Sequence, residues 1–118
     1  NNLARPILYG SYHPMSIVPA DGDTRRPEHD VIVGGPLCES GDIFTQEEGG
    51  FVSTRRLPEA KVGDLMAIEC AGAYGFVMGS NYNSRPLAAE VLIDDRRPRL
   101  IRRRQTFDDL IRGEEIPK

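Results

Sequence analysis

The sequence predicts a mainly β fold, an antiparallel Greek-key-like barrel or sandwich closed off by one short C-terminal helix. Three observations point there. The 12 glycines and 9 prolines are spread through all 118 residues, which suits short strands joined by many turns. The apolar runs are short and bounded by turn residues, and aromatic residues make up only 7% of the chain with no tryptophan. Helical spacing with caps occurs once, near the end. The whole chain, 1–118, reads as one domain with a modest core.

Taken in order, Arg5-Pro6 followed by Ile7-Leu8-Tyr9 suits an extended segment that begins almost at the first residue. Such a start is expected of a piece cut from inside a larger protein. Tyr12 to Ala20, with Met15, Ile17 and Val18 apolar, is the second predicted strand, and Pro19 to Glu28 is a polar loop. His29 to Val33 is the third strand. Ile43-Phe44 suits a short turn and Glu47-Glu48-Gly49-Gly50 a flexible link to Phe51-Val52. Leu57-Pro58 and Val62-Gly63-Asp64 bracket a turn before a strand at Leu65 to Ala71. There, period-two alternation puts Met66, Ile68 and Cys70 on one face, so Cys70 is expected in the core.

Small residues flank Tyr74 in Ala71-Gly72-Ala73-Tyr74-Gly75. They would let the backbone approach a ligand or partner with the phenol projecting, or simply make a tight bend at a barrel corner. Phe76 to Met78 and the loop Asn81 to Pro86 follow. Ala88 to Asp94 and Leu100 to Arg104 form two strands around a turn at Asp95-Arg96-Arg97-Pro98. Thr106 to Gly113 has a capping hydroxyl, first-turn acids, apolar residues three and four apart and a terminal glycine, so it is the helix.

Composition narrows the function. A net charge of −3 gives no general attraction to nucleic acid or anionic membrane. No apolar run nears the roughly 18 residues of a membrane span, and no leader pattern opens the chain, so a soluble cytoplasmic protein is expected. The arginine run Arg96, Arg97, Arg99, Arg102, Arg103 and Arg104 suggests a phosphate stripe, but no aromatic residue is interleaved to stack on bases. A solvated or subunit-facing surface accounts for it better. His13 and His29 lack a neighbouring zinc ligand set, and no metal is expected. Glycine-rich phosphate loops and a GxSxG elbow are absent.

The stretch Gly35-Pro36-Leu37-Cys38-Glu39-Ser40-Gly41-Asp42 sets a thiol beside a carboxylate between residues that shape a turn. Ser40 and Asp42 can satisfy loose backbone donors there. Two readings stand: an ordinary turn with a buried cysteine, or a mounted reactive pair. With Arg5 and Tyr9 near the start and Tyr74 in the small-residue bend, the chemistry would suit an amino acid. An arginine grips a carboxylate, Glu39 takes an ammonium and a protonated thiol at Cys38 can act as a general acid. A cystine between Cys38 and Cys70 is not expected in a reducing compartment.

These pieces resemble a known family. Arg5-Pro6-Ile7-Leu8-Tyr9 with Tyr12-His13, then Gly35 to Asp42, Gly72-Ala73-Tyr74-Gly75, Asn81-Tyr82-Asn83-Ser84-Arg85-Pro86 and Glu90-Val91-Leu92 follow the order seen in diaminopimelate decarboxylases. The resemblance runs through nearly all of this chain but only the C-terminal part of the family's sequence. It implies a β domain like the C-terminal domain of alanine racemase, with an N-terminal α/β barrel, absent from these 118 residues, carrying pyridoxal 5'-phosphate on a lysine. The two lysines here, Lys61 and Lys118, are not placed for that role, so the chain alone is expected to be inactive.

By the same resemblance, Cys38 corresponds to the proton donor and Glu39 to the acceptor of the distal ammonium. Arg5 and Tyr9 correspond to residues that hold the distal carboxylate, and Tyr74 to a phenol touching cofactor and substrate. The Cys38-Glu39 loop would enter the site of the opposite subunit of a homodimer. The implied reaction converts meso-2,6-diaminopimelate to L-lysine and carbon dioxide. Two other readings stay open: a polyamine-pathway basic amino-acid decarboxylase, and a β interaction module without catalysis.

Overall fold

The structure, a computed structural model, describes residues 10–73 and 75–118. It is mainly β with one short helix, as expected, and its backbone divides into two compact units, one running to Met78 and the other Gly79–Lys118.

In the first unit, β1 (Met15–Val18) pairs antiparallel with β4 (Leu65–Ile68), setting Met15 opposite Ile68 and Val18 opposite Leu65. Nested inside that pair, β2 (Glu28–Val31) runs antiparallel to β3 (Arg55–Pro58), with His29 opposite Leu57. Prolines set these lengths. Pro19 has no N–H with which to prolong β1, so the strand expected over Tyr12 to Ala20 is shorter at its end. Ile17, Val31, Leu57 and Met66 line one apolar groove between the two ribbons, and Val33 and Leu57 are buried.

A charged cluster fastens the long loops of this unit. Arg26 is buried; its guanidinium donates to Glu59 O at 3.0 Å and to Asp21 Oδ1 at 2.6 Å, and it pairs with both oxygens of Asp64. Asp64 also accepts from the amides of Ala20 at 2.9 Å and Lys61 at 2.7 Å. One carboxylate therefore ties the loop after β1 to the turn before β4. His13 is likewise buried and bonded, its Nδ1 lying 3.2 Å from Glu69 O.

The expected strand at Leu65 to Ala71 stops at Ile68, and Cys70 is corrected with it. The Glu69 amide makes a last bond to Pro14 O at 2.8 Å, after which Cys70 takes a left-handed backbone with φ 54° and is exposed. Alternation in the sequence continues past the point where the ladder has a partner. Cys70 is therefore not a core residue.

In the second unit, β5 (Glu90–Asp94) and β6 (Arg97–Arg102) make a hairpin whose turn residues, Asp95 and Arg96, have φ of 48° and 60°. Two consecutive left-handed residues form the primed turn whose twist matches a two-stranded ribbon. Strand β6 starts earlier than expected and includes Pro98, which a ribbon with open edges tolerates. The helix α1 (Phe107–Leu110) begins in a capping box: Thr106 Oγ1 accepts from the Asp109 amide while Asp109 Oδ2 accepts from the Thr106 amide at 2.8 Å. Gln105 braces the unit by bonding both polar backbone groups of Leu87, which is buried.

The ladders form three two-stranded sheets, β1 with β4, β2 with β3 and β5 with β6. Among the described residues no ladder joins them into a closed barrel.

Candidate functional site

Strand β2 runs out through Ile32 to the buried Val33 and into the Gly35 to Asp42 loop. The base of the loop is a short ladder. The Phe44 amide donates to Val33 O at 2.8 Å, Gly34 bridges Ile43, and the Gly35 amide donates to Asp42 O at 2.7 Å. Beneath it sits Thr45, fully buried, whose Oγ1 accepts from the Val33 amide at 3.3 Å and whose carbonyl accepts from the Ser53 amide at 2.9 Å. The return strand is thus fixed on both sides.

Within the loop, the buried Asp42 turns inward, and its Oδ2 accepts from the Leu37 amide at 2.8 Å. Its own amide donates to Glu39 O at 3.1 Å. Glu39 folds back, with Oε1 accepting from the Gly41 amide at 2.7 Å. A Cβ on Gly41 would lie 2.6 Å from that oxygen, so glycine there keeps room for the carboxylate. Cys38 is exposed at the tip. Of the two sequence readings, the buried cysteine in an ordinary turn does not describe this loop.

Cys38 and Glu39 are thus adjacent on one tied rim. Arg5, Tyr9 and Tyr74, the other expected site residues, lie outside the described residues, as does the extended segment expected at Ile7 to Tyr9. Lys61 is exposed with its ammonium 3.4 Å from Asp21, and Lys118 is exposed at the last position. Among the described residues no group of three or more His, Cys, Asp or Glu side chains is arranged to hold a metal ion. Also among them, no helix is long and apolar enough to cross a membrane.

Two features of the site escape a reading of the sequence. One is Thr45, a hydroxyl between Phe44 and Gln46. The other is Arg55, whose guanidinium carbon lies 4.3 Å from the centroid of the Tyr12 ring while Nη1 donates to Ser53 Oγ at 3.1 Å. Ser53 Oγ in turn donates to Thr45 O at 3.1 Å, so a cation–π contact connects to the base of the loop. Nothing in the local pattern announces either, because Tyr12 is distant from Arg55 and Val33 from Thr45 in the chain.

Half of the arginine run is spent on its own unit. Arg99 pairs with Asp94 at 3.2 Å, Arg102 with Glu90, and Arg103 with Asp109 at 2.7 Å. Asp109 is held well below the usual carboxylate range, first by Arg103 and then by the Thr106 amide.

The family described as the pyridoxal-dependent decarboxylase C-terminal sheet domain matches residues 1–72. The diaminopimelate decarboxylase of Escherichia coli strain K12 is 57% identical over 113 residues, covering 94% of this chain and 27% of that enzyme. A crystal structure of a diaminopimelate decarboxylase superposes with a TM-score of 0.89 at 56% identity, again over 94% of this chain and 27% of the other. A second, from M. jannaschii in complex with L-lysine, gives a TM-score of 0.80 at 34% identity, over 98% of this chain and 24% of the other. The chain spans about a quarter of the length of the relatives that it matches.

Proposed function

From the premise that this chain belongs to the pyridoxal-dependent decarboxylases, as their C-terminal sheet domain, we propose that it serves a diaminopimelate decarboxylase. In that role the whole protein converts meso-2,6-diaminopimelate to L-lysine and carbon dioxide. The observation that carries the reading is the Cys38-Glu39 loop: an exposed thiol beside a carboxylate, on a rim whose backbone is tied from inside. The names of the similar proteins favour this substrate over a polyamine precursor.

The described residues do not themselves fit a pyridoxal phosphate site. An imine-forming lysine needs a shielded amine, and neither Lys61 nor Lys118 is buried. The cofactor, held on an N-terminal barrel of the same protein, would supply the electron sink for decarboxylation. This chain's part is recognition and proton delivery. Cys38 Sγ gives its proton to the carbon that has lost carbon dioxide, and Glu39 leaves the Gly41 amide to meet the ammonium at the far end of the substrate. Arg5 and Tyr9 hold the distal carboxylate and Tyr74 touches substrate and cofactor. The loop works across a homodimer interface, in the cytoplasm, without nucleic acid or membrane.

Cys38→Ala in the full-length protein tests the reading. Turnover of meso-2,6-diaminopimelate is expected to fall by about 10²- to 10⁴-fold, with KM little changed, because only the proton transfer is lost. Unchanged turnover would overturn it.

A further inference from the structure

Asp42 is deeply engaged in the loop, and its carbonyl, amide and carboxylate each bond to another residue of the loop. Its carbonyl accepts from Gly35, its amide donates to the Glu39 carbonyl, and its carboxylate accepts from Leu37. The side chain is part of a residue only 5% exposed. Cys38 stands between two of those anchored points, the Leu37 amide before it and the Glu39 carbonyl after it. Direction at the tip therefore follows from Asp42.

Gly35 supplies independent support. It is not among the glycines with positive φ, so backbone freedom does not explain it. Space does: a Cβ there would overlap both oxygens and the carboxyl carbon of Asp42. The loop is built around that carboxylate.

We propose that Asp42 is the positioning residue of the Cys38-Glu39 loop, bracketing Cys38 through the Leu37 amide and the Glu39 carbonyl so that the thiol points outward from the rim. Its effect on turnover rests on the reading of Cys38 as proton donor. Its effect on the loop does not.

The test uses the full-length protein with Asp42→Ala, Asp42→Asn and Gly35→Ala, read by steady-state kinetics and by iodoacetamide alkylation of Cys38 relative to exposed Cys70. Asp42→Ala and Gly35→Ala are expected to lower kcat by about 10- to 100-fold, the usual cost of misplacing a reacting group by an ångström. They should also shift the Cys38-to-Cys70 alkylation ratio. Asp42→Asn, which keeps a carbonyl acceptor for the Leu37 amide, should recover most of both. In a Cys38→Ala background, Asp42→Ala should cost no further turnover. If Asp42→Ala does not fold, Gly35→Ala and Asp42→Asn decide the matter by the same readouts. An unchanged alkylation ratio, an asparagine as damaging as alanine, or a fully additive loss in the double variant would overturn the proposal. Should Cys38→Ala alone leave turnover intact, the proton-donor reading falls, while the alkylation ratio still decides whether Asp42 sets the loop.

Discussion

Arg26 and Asp64 form an ion pair whose side chains are only 2% and 5% exposed, although 38 residues separate them in the chain. Removing two charges from water costs free energy, and the pair is tolerable because nearly every lone pair and N–H has a partner. Asp64 serves two amides besides the guanidinium, and Arg26 also reaches Asp21 and Glu59 O. Only the Arg26 Nε has none. Truncating either partner would strand the other.

Arg26→Ala is therefore expected to lower the melting temperature of the full-length protein clearly, and Arg26→Lys to recover only part, since an ammonium cannot span Asp21 and Asp64 as a fork. Arg56→Ala makes the control. Its pair with Glu28, at 3.5 Å, has both side chains more than half exposed, so the melting temperature should not move measurably. Equal effects of the two variants would contradict this account.

The same cluster sets a pH dependence. Asp21 is lowered to about 2, by the Asp23 amide first and then by Arg26, and Asp64 is held well below the usual range chiefly by Arg26. Both carboxyls are more acidic folded than unfolded, where the ordinary value is about 4. Their stabilisation is accordingly complete above about pH 4 and is lost as pH falls toward the folded values. Urea midpoints of wild type and Asp64→Asn should differ most near neutrality and converge in acid. A gap that stays constant down to pH 3 would count against it.

What the sequence made legible was local. The helix cap at Thr106 and the Gly35 to Asp42 loop are each encoded within a few residues and found where expected, while the hairpin turn takes only Asp95 and Arg96 of the four residues expected and the helix stops at Leu110, short of Gly113. What it hid depended on partners far along the chain. Strand β3 contains Arg55 and Arg56 beside a single buried apolar side chain, Leu57, so its character comes from pairing with β2. Arg26 sits in a segment that reads as polar loop, and only Asp64 explains its burial. Cys70 fails in the opposite direction: a sound alternating pattern outruns the ladder that would have used it.

Thr45 offers a sharper test of the loop's foundation. It is wholly buried, and its hydroxyl satisfies the Val33 amide. Thr45→Val keeps the shape and removes the acceptor, leaving a buried N–H without a partner at a cost of about 1–3 kcal/mol. Thr45→Ser keeps the oxygen and should cost less. Chemical denaturation of the two variants separates them, and hydrogen exchange should show Val33 losing protection in the valine variant alone. Equal stability of the two would mean that volume, not the hydroxyl, holds the base of the loop.

The β5–β6 ribbon carries a local conflict that substitution should relieve. Asp95 and Arg96 both hold left-handed backbone, which costs a residue with a Cβ about 1 kcal/mol and which Asn-Gly adopts readily. The hairpin accepts this because the primed turn is the one that matches its twist, and because Arg99 reaches across to Asp94 beside the turn. Replacing the pair, Asp95→Asn with Arg96→Gly, is expected to stabilise the ribbon by roughly 1 kcal/mol, seen as slower amide exchange over Glu90–Asp94 and Arg97–Arg102. Neither residue belongs to the Cys38 loop, so turnover should stay as it was. Faster exchange in the ribbon would show that Asp95 and Arg96 contribute more through their side chains than their backbone conformation costs.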